Sequence, residues 1–204
     1  MACGDASIRT MSPTPALPVV HVALLPYEGR LEPRSADQID LVVIHCTELP
    51  DLATARRFGE EMRYPESQTG NSGHYYIDRD GAVHQYLRVE RIGHHTRGFN
   101  PRSIGIELVN TGRYPDWLDS RHQAMDEPYT EAQVISLGAL LRQLQTRLPT
   151  LQWIAGHEDL DTTEVTATDD PGRTVRRKRD PGPLFPWSRV LDAVSLQRLG
   201  ADLG

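Results

Sequence analysis

Residues 41–47 read Leu-Val-Val-Ile-His-Cys-Thr, an unbroken apolar run rich in β-branched side chains and carrying one imidazole. Its length and β-branching make it a strand covered on both faces, and strands of that kind need helices above and below their sheet. "SIGIELVN" (103–110) is a second such run, with Gly105 permitting close backbone approach and Glu107 as its one charge. "LQWIAGH" is a third, shorter strand that ends at His157. Strands mixed with helices give one α/β domain, a mixed central sheet flanked by helices.

The helices carry their own signals. "YTEAQVISLGALLRQLQTRL" starts with a capping box, Thr130 and Gln133, and places Val134, Leu137, Leu141, Leu144 and Leu148 on one face. "PDLATARRFGEEM" follows the first strand, with Asp51 as N-cap and Leu52, Ala55, Phe58 and Met62 expected on its buried face. A last helix is expected over residues 186–199. "GHYYIDRDGAVHQYL" reads as two strands joined by a tight turn at Asp80-Gly81. Residues 1–38, rich in Pro, Ser and Ala around the apolar patch "VVHVALLPY", are expected to be a loose N-terminal arm. Residues 158–177 are polar, Thr/Asp-rich and unperiodic, and are expected to be a long surface loop.

Charge and cysteine usage narrow the function classes. A net charge of −6 over 204 residues argues against nucleic acid as a partner. The run Arg176-Arg177-Lys178-Arg179 is local, either a solvated turn or a patch that meets an anionic substrate. Cys3 and Cys46 do not make a disulfide framework. No apolar stretch is long enough to span a membrane. "MACGDASIRT" lacks the apolar core of a signal peptide, so the expected compartment is the cytoplasm. A periplasmic setting would follow if Cys3 were the stump of a trimmed lipoprotein signal.

Three polar groups stand at strand ends or in a rigid turn: His45, His157 and Asp180. Neighbours in a strand point to opposite faces, so His45 is assigned to a cleft and Cys46 to the core. Asp180 is followed by Pro181-Gly182-Pro183, a turn that holds it in place. Each alone reads better as a core histidine or a capped turn. Together, two imidazoles and one carboxylate are the ligand set of a catalytic zinc with an open fourth position. Glu107 faces either solvent or that site, and beside a metal a partly desolvated carboxyl can shuttle protons.

"VVIHCTE", "GHYYIDRDGAVHQ", "FNPRSIGIELVN", "AGHEDL" and "KRDPGPLFPW" occur in the order found in type-2 N-acetylmuramoyl-L-alanine amidases, relatives of the peptidoglycan recognition proteins. The resemblance covers residues 40 to 192 and implies a zinc amidase domain over 39–200. It implies one Zn²⁺ per chain on His45, His157 and Asp180, with Glu107 as general base and Lys178 as the cation facing the oxyanion. Gly73 stands where some relatives carry a Tyr, which leaves Glu107 as the base. The resemblance also makes His95 and Asn100 substrate contacts, with His94 replacing the Trp of a groove-lining Trp-His pair. The implied reaction is hydrolysis of the amide between the lactyl group of (anhydro-)N-acetylmuramic acid and L-alanine, with peptidoglycan fragments or muropeptides as partners. A non-catalytic peptidoglycan-binding module and a zinc peptidase acting on the stem peptide are the alternatives.

Overall fold

The first apolar run forms the middle of a sheet in the computed structural model, which describes residues 18–200. The first half of the chain gives strands β1 (Val20–Val22) and β2 (Leu41–Cys46), helix α1 (Leu52–Glu60), then β3 (Tyr75–Ile77), β4 (Val83–Gln85) and β5 (Ser103–Leu108). Helix α2 (Glu131–Arg147) leads into β6 (Trp153–Gly156) and a single turn, α3 (His157–Leu160). A hairpin of β7 (Glu164–Thr166) and β8 (Thr174–Arg176), helix α4 (Trp187–Asp192) and β9 (Gln197–Arg198) complete it.

Among the described residues the main sheet has the order β1-β4-β3-β5-β2-β6-β9. Every pairing is parallel except β3 with β4. Val42 and Ile44 pack with Ile104 and Ile106 against Leu137, Leu140 and Leu141 of α2. Leu41, Val43 and Ala155 point the other way, toward Phe99, Trp153 and Leu160. Burying one such aliphatic side chain stabilises by roughly 1.5–3 kcal/mol. A one-residue slip of β2 would exchange its two buried faces and drive His45 into the α2 layer, so the register is strongly specified.

Both expected helix starts are present. Thr130 and Gln133 exchange backbone-to-side-chain hydrogen bonds at 3.1 Å. Gln133 also donates through Nε2 to the carbonyls of Ile77 and Val109, tying α2 to the ends of β3 and β5. Asp51 Oδ1 accepts from the Thr54 N–H at 2.6 Å. No helix of the described residues is long and apolar enough to cross a membrane.

Four expectations are corrected. Helix α1 stops at Glu60, and Met62, expected on its buried face, is 58 % exposed. The chain there turns back on itself through a bridge between Tyr64 and Thr69. Residues 158–177 are not a featureless loop: the Thr-Val alternation at Glu164–Thr166 and Thr174–Arg176 pairs as a hairpin, with Val175 buried. The expected helix over 186–199 is short, because the edge of β6 takes up the following residues as β9. Gln197 N–H donates to Gln152 O and Leu199 N–H to Ile154 O.

The fourth correction concerns the arm. Val20–Val22 add a parallel strand beside β4. Leu25, Tyr27 and Leu31 are buried with Leu49, Ala55, Tyr76 and Leu87 in a second apolar cluster. Tyr27 donates its O–H to Gly59 O at 2.7 Å, and buried Arg34 donates to the carbonyls of Val89 and Ser103. The apolar patch thus roofs α1 instead of hanging loose. Cys3 and residues 1–17 lie outside the described residues.

Candidate metal centre

His45 pairs in register with Glu107 across parallel strands β2 and β5, so both side chains leave the sheet on the same face. His157 opens α3 directly after β6, the other neighbour of β2. All three therefore gather at the carboxyl ends of parallel strands, where open α/β sheets place their ligands. Asp180 reaches the same point from the segment between β8 and α4, and its carbonyl accepts the Glu158 N–H at 2.8 Å.

Asp180 Oδ2 lies 2.9 Å from His45 Nδ1 and 3.1 Å from His157 Nδ1. One ligand atom from each of the three residues falls within 4.8 Å of the others, and all three residues are buried. Asp180 Oδ1 and His157 Nε2 are buried without a hydrogen-bond partner. A buried carboxylate with an unmatched oxygen is costly unless a cation meets it. Burial alone would raise the Asp180 carboxyl, but the charge and hydrogen bond of His157, the bond from His45 and the charge of Lys178 hold it well below the usual range. Burial pushes the His45 imidazole down to about 4 against the pull of Asp180, so it stays neutral, as a ligand must. Two imidazole nitrogens and a carboxylate oxygen fit zinc.

The centre opens into a cavity of about 420 Å³ whose walls include Glu107, Lys178, Asn71, Tyr64 and His94. A second cavity of about 240 Å³ shares Thr47, Asn71, Tyr76, Glu107 and Lys178 with it and continues to Leu49, Phe58 and Arg63. The two cavities therefore adjoin along a shared wall that includes Glu107 and Lys178. Burial, and then the negative charge of Asp180, push the Glu107 carboxyl well above the ordinary range, with Lys178 opposing. Gly73 lies directly against this side chain: a Cβ there would come within 3.0 Å of Glu107 Cγ.

The other expected residues occupy distinct places. His95 stands beside the centre, with Nδ1 3.1 Å from His45 Nε2. Asn100 Oδ1 accepts the backbone N–H groups of His95 and Thr96 at 3.1 and 2.7 Å, so its oxygen shapes that loop. His94 packs against Tyr64, ring centroids 4.5 Å apart, and Tyr64 is 41 % exposed at the groove. Within the basic run, Arg176 donates to the carbonyls of Glu158 and Asp161, Arg177 pairs with Asp161, and Arg179 donates to Gln123 O. Three of the four cations are therefore tied into the fold; Lys178 lines the cavity, and Arg177 lines it as well.

Sequence reasoning did not find Tyr64, Thr96, Ser103 or the Arg113–Glu48 pair. The fold also gathers four histidines: His45, His74, His95 and His157 stand ring to ring, with centroids 4.6–5.5 Å apart.

Residues 35–183, well over half of the chain, match the family model for N-acetylmuramoyl-L-alanine amidase. The chain belongs to that family. It is 33% identical over 122 residues to the 1,6-anhydro-N-acetylmuramyl-L-alanine amidase AmpD of Enterobacter cloacae, a match covering 55% of this chain and 51% of that protein. The chain thus spans about half the length of that curated relative. The amidase LysC from Clostridium intestinale URNW matches with a TM-score of 0.62 at 21% identity, covering 88% of this chain and 99% of the other. AmiD from E. coli, solved with anhydro-N-acetylmuramic acid-L-Ala-D-gamma-Glu-L-Lys, matches with a TM-score of 0.57 at 23% identity, covering 76% and 57%. At these identities the two structures establish the fold. This amidase-family chain has the mixed central sheet, flanked by helices in one domain, that its sequence led us to expect.

Proposed function

We propose that this chain is a zinc-dependent N-acetylmuramoyl-L-alanine amidase, acting on the amide between the lactyl group of N-acetylmuramic acid and L-alanine. The observation that carries the reading is the convergence of His45 Nδ1, His157 Nδ1 and Asp180 Oδ2 beside Glu107 and Lys178 in one groove. His45, His157 and Asp180 would hold the metal. Zinc bound there supplies Lewis acidity and lowers the pKa of water toward neutrality.

The remaining steps belong to the chain itself. Glu107, poised above the ordinary carboxylate range, takes a proton from the attacking water and returns it to the leaving nitrogen of L-alanine. Lys178 offers positive charge to the carbonyl oxygen as that oxygen becomes anionic, a contribution that is usually the largest in acyl transfer. Glu107 lines both adjoining cavities, which offer room for sugar and peptide on the two sides of the scissile amide.

The substrate class rests on the relatives: the name of the Enterobacter cloacae protein specifies the 1,6-anhydro sugar, and AmiD was solved with an anhydro-muramoyl peptide. Soluble anhydro-muropeptides are therefore the proposed substrate. Mass spectrometry of a digested muropeptide mixture tests this. Free stem peptide beginning with L-alanine, plus sugar without peptide, is the expected product pair. Shortened stem peptides alone would make the protein a peptidase, and binding without cleavage would make it a recognition module.

A further inference from the structure

His45 turns Nδ1 toward Asp180 and Nε2 toward His95 Nδ1, 3.1 Å away. A neutral imidazole carries one proton. For Nδ1 to offer its lone pair to a cation, that proton must sit on Nε2, and a buried N–H needs an acceptor. His95 Nδ1 is that acceptor, with Thr96 Oγ1 at 3.3 Å as the second. The His95 proton then belongs on Nε2, which faces Ser103 Oγ at 3.4 Å, while Ser103 donates its own O–H to Phe99 O at 2.8 Å. Read back from the Phe99 carbonyl, which can only accept, each bond sets the direction of the one before it, and the Thr96 O–H is free to donate to His95 Nδ1 at 3.0 Å.

The His95 ring is also held in position. Its backbone N–H, with that of Thr96, is taken by Asn100 Oδ1. The ring itself occupies the space over Gly105, where an added Cβ would lie 2.7 Å from His95 Cγ and 2.8 Å from its Nδ1. Gly105 stands two residues before Glu107 on β5, hence on the same face. The absent side chain at 105 is what lets the imidazole reach His45.

We propose that His95, seated on Gly105, is a positioning residue that fixes His45 in the Nε2–H tautomer and so presents its Nδ1 as a metal ligand. This rests on the metal centre described above. Outer partners of metal-bound histidines typically contribute 10–100-fold in metal affinity. The role differs from a substrate contact, which would affect KM and leave the metal alone.

The test is zinc affinity, measured by competition with a chromophoric chelator in the full chain, without substrate. His95→Leu removes the acceptor and should weaken zinc binding by about 10–100-fold. His95→Asn places Oδ1 near the former Nδ1 and should restore affinity close to wild type. Gly105→Ala touches no ligand but displaces the ring, and should follow His95→Leu. Circular dichroism of the zinc-free proteins reports the fold, and if His95→Leu does not fold, the other two variants decide. Equal affinity in all folded proteins, or His95→Asn as weak as His95→Leu, would overturn the assignment. A wild-type protein that takes up no zinc would instead overturn the metal centre, and this inference with it.

Discussion

Arg113 and Glu48 form a two-pronged ion pair beneath the segment that carries Lys178 and Asp180, Nε to Oε1 at 2.7 Å and Nη2 to Oε2 at 2.9 Å. The Arg113 side chain is 1% exposed, and its other N–H groups reach Gln123 Oε1 and the carbonyls of Arg176 and Arg177. All five donors of the guanidinium are engaged, a pattern that lysine cannot reproduce. Removing the carboxylate leaves a buried cation unpaired, so Glu48→Ala should destabilise the fold by about 3–5 kcal/mol. Urea unfolding measures this, and a change below about 1 kcal/mol would mean that solvent reaches the pair as it does surface pairs.

Asp180→Ala should abolish tight zinc binding while leaving most of the fold. Without Asp180 Oδ2 the two Nδ1 atoms make a two-point site. Zinc content after dialysis against a mild chelator, with circular dichroism as folding control, decides the matter. One equivalent retained by the folded variant would return Asp180 to being a turn residue whose loss costs about 1 kcal/mol.

Glu107→Gln should keep zinc and fold but lower kcat by about 10²–10⁴, the usual contribution of a general acid–base. The amide is nearly isosteric, so it should still pack against Gly73. Zinc-loaded variant with near-normal kcat would remove Glu107 from the mechanism.

Lys178→Met should depress kcat more than it raises KM, because the anionic oxygen it faces exists mainly in the transition state. The flanking Arg177 and Arg179 are held by Asp161 and Gln123, so the backbone should stay in place. Steady-state kinetics on a purified anhydro-muropeptide separates the two effects. A rise in KM alone would make Lys178 a ground-state contact.

The strands that build the site were legible because β2 and β5 are buried on both faces and leave little choice of structure. His45, Glu107, His157 and Asp180 could be named because each is a polar group where the local pattern calls for an apolar one or a fixed turn. What could not be read was long-range. Nothing local in Val20–Val22 says that it pairs with β4, and nothing in Gln197–Arg198 says that β6 has a free edge. The role of Asn100 was equally hidden, because accepting two N–H groups from His95 and Thr96 depends on how the loop closes. The partners of His95 were hidden too, since Ser103 and Gly105 meet its ring only once β5 lies beneath it.

The last prediction concerns acid stability and His74, which is wholly buried. Its Nδ1 accepts the Gly105 N–H at 3.1 Å, and its Nε2–H donates to Arg91 O at 2.9 Å. A proton has no acceptable place to go: it would break the Gly105 bond and put a second charge beside Arg34, whose Nη2 lies 3.0 Å away. Burial, and then the Arg34 charge, push the imidazole down from 6.5 to about 3. Between those values the unfolded chain takes up a proton that the folded chain refuses, so stability falls as pH drops through that window. The slope for one such group is about 1.4 kcal/mol per pH unit. His74→Asn keeps an acceptor for Gly105 N–H and cannot titrate. It should be less stable than wild type at pH 8, having lost the Arg91 bond and ring packing, and the gap should shrink steadily from pH 6.5 to pH 4. Urea unfolding at four pH values measures it, and a gap that stays constant from pH 8 to pH 4 would show that the fold accommodates a charged His74.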